Sequence, residues 1–142
     1  MQDYKIRLMT NEDYDQVYGL WSITDGMALR NYDDSAEGIA KFIKKNPTSN
    51  FVAEMDGKIV GVIMCGMDGR RAYIYHTVVR EDLRQQGIGK ALLRAVYHAI
   101  EAEGIKKNGL LVMKSNEIGN KFWQMQGWTE RVDLNYYSKT NE

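Results

Sequence analysis

Two Asp-Gly pairs constrain this chain more than any other feature. Asp56-Gly57 sits between Phe51–Met55 and residues 58–65, two runs rich in apolar and β-branched side chains. Such a pair supplies the positive φ that a tight hairpin turn needs, so the flanking runs are expected to pair antiparallel. Met67-Asp68-Gly69-Arg70 repeats the signal and leads into residues 72–79, which adds a third antiparallel strand. A chain with a meander at its centre cannot build a wholly parallel sheet.

The remaining elements arrange themselves around that meander. Residues 4–9 alternate as a strand does, and Thr10 with Asp13 forms a weak capping box before an amphipathic stretch carrying Val17, Leu20 and Trp21. Residues 22–34 lack clean periodicity. Ser35 then caps a short helix with Ile39, Phe42 and Ile43, stopped by Asn46-Pro47. Leu92, Leu93, Val96, Tyr97 and Ile100 fall at helical spacing, and Gly104 suits the position just past that helix. Residues 110–113 read as a buried strand, Glu117–Met125 as a helix ended by Gln126-Gly127, and residues 128–137 as a final strand or hairpin. The order is β, α, α, β, β, β, α, β, α, β, with no internal repeat or linker, so one domain over residues 1–142 is expected.

Composition removes several function classes. The chain has 142 residues, of which 44% are hydrophobic, enough for a core without staples. Nineteen basic and nineteen acidic side chains cancel, which leaves no global field to gather nucleic acid or anionic lipid. One cysteine, Cys65, and two histidines are too few for an intrachain disulfide or a structural zinc site. No metal is expected. The apolar run 59–67 is too short to span a bilayer, and the N-terminus lacks a signal-peptide pattern, so a cytoplasmic protein with no membrane partner is expected.

The chemistry concentrates at Arg84-Gln85-Gln86-Gly87-Ile88-Gly89-Lys90, where two glycines precede the apolar helical pattern. Unpaired N–H groups at a helix start, with the positive end of its dipole, form a cradle for an anion, and Arg84 and Lys90 add charge. Two familiar phosphate motifs fail. A Walker loop needs Ser or Thr after Gly-Lys, and Ala91 stands there; a dinucleotide fingerprint needs a third small residue, and Leu92 occupies that place.

What fits is the pattern R/Q-x-x-G-x-G/A shortly after the extended segment His76-Thr77-Val78-Val79. This resembles motif A of the GNAT superfamily of N-acetyltransferases. The tail from Asn116 through Phe122-Trp123 to Gly127-Trp128 is similar to the family's N-x-x-A-x-x-F-Y block followed by G-F, so the resemblance spans nearly the whole chain. It implies an α/β fold of the α+β type: a mixed, mostly antiparallel sheet splayed into a V and flanked by about four helices. It also implies an acyltransferase that moves acetyl from acetyl-CoA to a primary amine of a small molecule, peptide or protein by direct attack.

On that resemblance, the CoA pyrophosphate would lie on Arg84, Gln85, Gln86, Gly87, Ile88, Gly89 and Lys90. The pantetheine arm would run along Thr77, Val78 and Val79, with Asn116 hydrogen-bonding it and Trp123 beside it. Trp123 stands where many members carry a tyrosine acid, and an indole N–H is no proton source near neutral pH. That substitution keeps open a second reading, a GNAT-like module that binds acyl-CoA without turnover. Tyr136 and Tyr137, in the expected last strand, are alternative acids.

Three groups are candidates for the base. Alternation places Tyr73, Tyr75 and Thr77 on one face and His76 on the other, unless a bulge intervenes. His76 has the more suitable ordinary pKa, roughly 6.5 against about 10 for Tyr75. Glu54 is placed to act through water. Each has a plainer account as well: a packed histidine, a strand aromatic, a solvated strand-end charge. The same holds for Arg70 and Arg71 in the second turn and for Asp25, Asp33 and Asp34 in the irregular segment, where carboxylates would suit a cationic amine. Cys65, within an apolar strand, reads as a buried structural thiol. Dimers are frequent in families of this kind, so a homodimer is left open.

Overall fold

The structure is a computed structural model that describes residues 3–141; Met1, Gln2 and Glu142, at the ends of the expected domain, lie outside the described residues. It divides into two compact units, residues 1–111 and residues 112–142.

The first unit is built on a five-stranded sheet in the order β1-β2-β3-β4-β5. The strands are β1 (Lys5–Leu8), β2 (Phe51–Met55), β3 (Lys58–Met67), β4 (Arg71–Val79) and β5 (Lys107–Leu110). Both Asp-Gly turns form as expected: Asp56 and Gly57 adopt φ 51° and 77°, and Gly69 adopts 90°. Neighbours from β1 to β4 pair antiparallel, whereas β4 and β5 run parallel. The sheet is mixed because α3 (Ile88–Ala102) carries the chain back between them.

Each face of the meander is covered. On one face α1 (Tyr14–Ser22) and α2 (Ala36–Lys45) bring Val17, Leu20, Trp21 and Ile39 against Val52, Ile59, Val62, Met64 and Val78. The apolar side chains of α3 that the spacing singled out, Leu92, Leu93, Val96 and Ile100, are buried too. Gly61 on β3 shows why a glycine stands there, since an added Cβ would lie 3.1 Å from Leu92 and 3.3 Å from Ile88. Capping follows the sequence: the Ser35 hydroxyl accepts from Gly38 N–H at 3.1 Å, and the Asp13 carboxylate accepts from Thr10 N–H at 2.8 Å.

Between α2 and β2 the chain is pinned by buried amides that the periodicity did not reveal. Asn50 accepts from Cys65 N–H at 2.9 Å and donates to the Asn46 carbonyl at 2.8 Å, while Ser49 donates to the Cys65 carbonyl at 2.6 Å. Asn46 accepts from Met67 N–H at 2.8 Å. Polar side chains can be buried here because each one meets a backbone group.

Two expectations are corrected. The strand expected at residues 110–113 lies earlier, at Lys107–Leu110, and Leu111 and Met113 are exposed instead of buried. A short apolar run marks burial only where a partner strand accompanies it, and the register with β4 ends at Leu110. In the second unit α4 (Glu117–Met125) forms as expected, but residues 128–137 form no strand. Val132, Leu134, Tyr136 and Tyr137 are exposed, and their period-2 pattern pairs with no strand among the described residues.

Candidate active site

β4 carries the irregularity that shapes the site. Val62 and Met64 of β3 stand opposite Val78 and Tyr75, so two residues of β4, His76 and Thr77, face the single residue Ile63. This is a β-bulge, and His76 takes φ 43° within it. The extra residue reverses the alternation, putting Tyr75 and Val78 on the α1–α2 face and turning the His76 ring the same way. Thr77 therefore does not share a face with Tyr73 and Tyr75 as unbroken alternation would have it, and His76 does not point away from them.

Three contacts hold the bulged histidine. Its ring meets the Trp21 indole edge-on, with centroids 4.9 Å apart. Trp21 Nε1 donates to the His76 carbonyl at 3.3 Å. His76 Nε2 lies 2.7 Å from Asp34 Oδ1. Asp34 is buried at 6% exposure, its Oδ2 accepts from Arg30 N–H at 2.7 Å, and its carbonyl accepts from the Tyr14 hydroxyl at 2.7 Å. Of the three loop carboxylates weighed from the sequence, Asp34 alone is inside, while Asp25 and Asp33 are exposed. The pairing joins positions 42 residues apart, which no local pattern signals.

From the bulge onward the edge of β4 toward β5 carries no strand. β5 pairs only with Arg71 through Ile74, so among the described residues no strand pairs with residues 76–79 of β4 on that side. Two buried side-chain oxygens lack a partner among the described residues, Thr77 Oγ1 at the bulge and Asn108 Oδ1 on β5. Buried polar atoms are normally satisfied, so these two oxygens are exceptions in the packing around β4 and β5.

β4 then leads to the glycine turn. Gln85 and Gly87 take φ 65° and 88°, and α3 starts at Ile88. Ala91 N–H donates to the Gly87 carbonyl at 3.0 Å, leaving the N–H groups of Ile88, Gly89 and Lys90 without an intrahelical acceptor. No side chain caps this end, and no heavy atom lies within 4 Å of a Cβ placed at Gly87. Arg84 Nε donates to the Val79 carbonyl at 3.1 Å, which ties the turn to the end of β4. An open helix start of this kind suits an anion.

The other sequence candidates are placed elsewhere. Glu54 on β2 accepts from Arg7 Nε at 2.7 Å, and the same guanidinium donates to Asp13 at 2.8 and 2.9 Å. That network anchors β1. Arg70 and Arg71 close the second turn through their backbone N–H groups, both 2.7 Å from Asp68 Oδ1. Cys65 is buried, and burial pushes its thiol up to about 12, unsuited to nucleophilic work. In the second unit, Asn116 caps α4 by accepting from Gly119 N–H at 2.9 Å, and Trp123 is buried against Phe122 and Trp128. Tyr136 and Tyr137 lie in irregular, exposed chain. Among the described residues no His, Cys, Asp and Glu cluster is arranged to hold a metal, and no helix is long and apolar enough to cross a membrane.

Solved structures share this architecture. Ard1 from Thermoplasma volcanium matches with a TM-score of 0.78 at 23% identity, over 89% of this chain and 82% of that one. The PaiA N-acetyltransferase from Thermoplasma acidophilum, solved in complex with coenzyme A, matches with 0.76 at 20%, over 87% and 88%.

Sequence comparison carries the assignment further. The model of the acetyltransferase (GNAT) family matches residues 9–128. An acetyltransferase of Pectobacterium atrosepticum is 34% identical over 113 residues, 80% of this chain and 79% of its own length. One from Sodalis glossinidius is also 34% identical, covering 80% and 78%. The chain belongs to the GNAT family and is in class an acetyl-CoA-dependent acetyltransferase.

Proposed function

We propose that the protein transfers acetyl from acetyl-CoA to the primary amine of a small molecule or peptide, by direct attack and without an acetyl-enzyme. The observation that carries this reading is the continuity of the open edge of β4 with the uncapped start of α3. An elongated ligand with an anionic middle and an amide-bearing arm needs that combination. The free N–H groups of Ile88, Gly89 and Lys90 would hold the pyrophosphate, with Gln85, Gln86 and Gly87 shaping the turn and Arg84 adding charge. The open edge at Thr77, Val78 and Val79 would pair with the pantetheine amides as an added strand does.

The chain's own groups supply the chemistry. A backbone N–H of that edge polarises the acetyl carbonyl and stabilises negative charge as the amine adds. His76 takes one proton from the acceptor ammonium, so that the neutral nitrogen forms the C–N bond as the C–S bond breaks. The departing thiolate takes the second amine proton and the imidazolium returns its own to water. No tyrosine acid is needed in this sequence of events, which accommodates Trp123. Cys65 has no part in it. The acceptor is a free or peptidyl amine in the cytoplasm, with neither nucleic acid nor membrane as partner, and the domain works alone or as a homodimer.

A thiol-release assay with acetyl-CoA and a panel of amines, polyamines, amino acids and peptides tests the reading. Amine-dependent release supports it. Tight CoA binding with no turnover on any acceptor would replace it with the non-catalytic acyl-CoA module.

A further inference from the structure

The contact between His76 and Asp34 goes beyond that reading while resting on it, because it specifies which nitrogen of the histidine is available. Asp34 is an acceptor at both oxygens: Oδ2 takes the Arg30 N–H at 2.7 Å, and Oδ1 faces His76 Nε2 at 2.7 Å. A carboxylate has no proton to give, so in the neutral imidazole the hydrogen bond requires the proton on Nε2 and leaves the lone pair on Nδ1. Geometry reinforces this choice. His76 is bulged at φ 43°, a left-handed conformation that is strained for a residue with a side chain. Its carbonyl is held by Trp21 Nε1 and its ring is flanked by the same indole, so the imidazole has little freedom to rotate.

We infer that Asp34 is a positioning residue that fixes His76 as the Nε2–H tautomer, presenting Nδ1 as the base toward the acceptor amine. Asp34 itself touches neither substrate nor reacting atoms; it acts through the imidazole. Because Asp34 ends the irregular segment between α1 and α2, the base is complete only while that segment is docked through Asp34 on β4, with Tyr14 clamping the Asp34 carbonyl.

Asp34→Asn makes the inference sharp. The Arg30 N–H requires an oxygen opposite it, so the new amide should turn its oxygen to Arg30 and its NH2 to His76 Nε2. That forces Nε2 to accept and moves the proton to Nδ1, removing the base's lone pair. The measurement is nitrogen-15 NMR of histidine-labelled full-length protein, in which His98 on the exposed face of α3 serves as the internal reference. It is paired with kcat on the most active amine of the panel. We expect wild-type His76 to be protonated at Nε2 and the Asn variant at Nδ1, with kcat down roughly 10²-fold or more and KM for acetyl-CoA changed less than about twofold. Asp34→Glu should keep the wild-type tautomer and recover part of kcat, which a merely structural role would not predict; it also serves if the Asn variant fails to fold. An unchanged tautomer, or a swapped tautomer with kcat within about threefold of wild type, overturns the inference while leaving acetyl transfer standing. A wild type silent on every amine would sink the transfer reading itself, and this inference with it.

Discussion

Gly87 offers the most discriminating perturbation of the cofactor cradle, provided that strain and ligand contact are separated. At φ +88° any side chain costs about 1–2 kcal/mol of backbone strain. A smaller unfolded-state entropy gain of about 0.4–1 kcal/mol offsets part of that. Gly69, at φ +90° in the turn at the opposite end of β4, meets the same terms, and neither position has a heavy atom within 4 Å of the added Cβ. Gly87→Ala and Gly69→Ala should therefore lower Tm alike, by about 2–4 °C for each net kcal/mol in a chain of this size. They should part company on CoA. On the proposed placement, the methyl group at Gly87 would occupy the space through which a phosphate reaches the α3 amides, and one lost hydrogen bond to a charged group costs about 1.5–3 kcal/mol. Calorimetric titration should show CoA affinity down roughly 10- to 150-fold in Gly87→Ala and unchanged in Gly69→Ala. Equal affinities in two folded variants would refute the placement of the pyrophosphate.

Asn50→Ala leaves the Cys65 N–H and Asn46 carbonyl buried without their partner, and should destabilise the fold by about 2–4 kcal/mol in urea melts; a loss under 0.5 kcal/mol would mean water replaces the amide. Burial pushes the Asp13 carboxyl up, but hydrogen bonds from Arg7 and from Thr10 N–H outweigh it and hold the group below its usual range. A carboxyl lower in the folded state than its unfolded value of about 3.9 contributes stability above that pH and loses it as pH falls through the folded value. Acid unfolding below about pH 4 should thus be shallower in Arg7→Met, which is also less stable at pH 7; an identical acid limb would exclude this pair as a source. Cys65 should react with a thiol reagent at neutral pH only as fast as the protein unfolds, and rapid labelling of native protein would contradict its burial.

The parts of the fold legible in one sequence were those that local chemistry dictates. The Asp-Gly turns, the Ser35 cap, the apolar stripe of α3 and the glycine pair at its start each carry their cause within a few residues. What stayed hidden depends on distant partners. The register of β5 is set by β4, so the apolar residues 110–113 misled, and the alternating tail around Val132 and Leu134 has a strand's pattern with no strand. Alternation alone does not locate the bulge at His76, because the extra residue shows only in the pairing with β3. In the sequence Asp34 is one of three loop carboxylates, and nothing short of the fold separates the buried one from its exposed neighbours.

Chemical-quench single turnover tests the central claim most directly, with excess protein, acetyl-CoA labelled with carbon-13 in the acetyl carbonyl, and the most active amine. The account predicts label appearing in an N-acetyl product in step with free CoA thiol, with none retained on the protein at any time. Label accumulating on the chain before product, or thiol released at the same rate without amine, would contradict direct transfer at the open edge of β4.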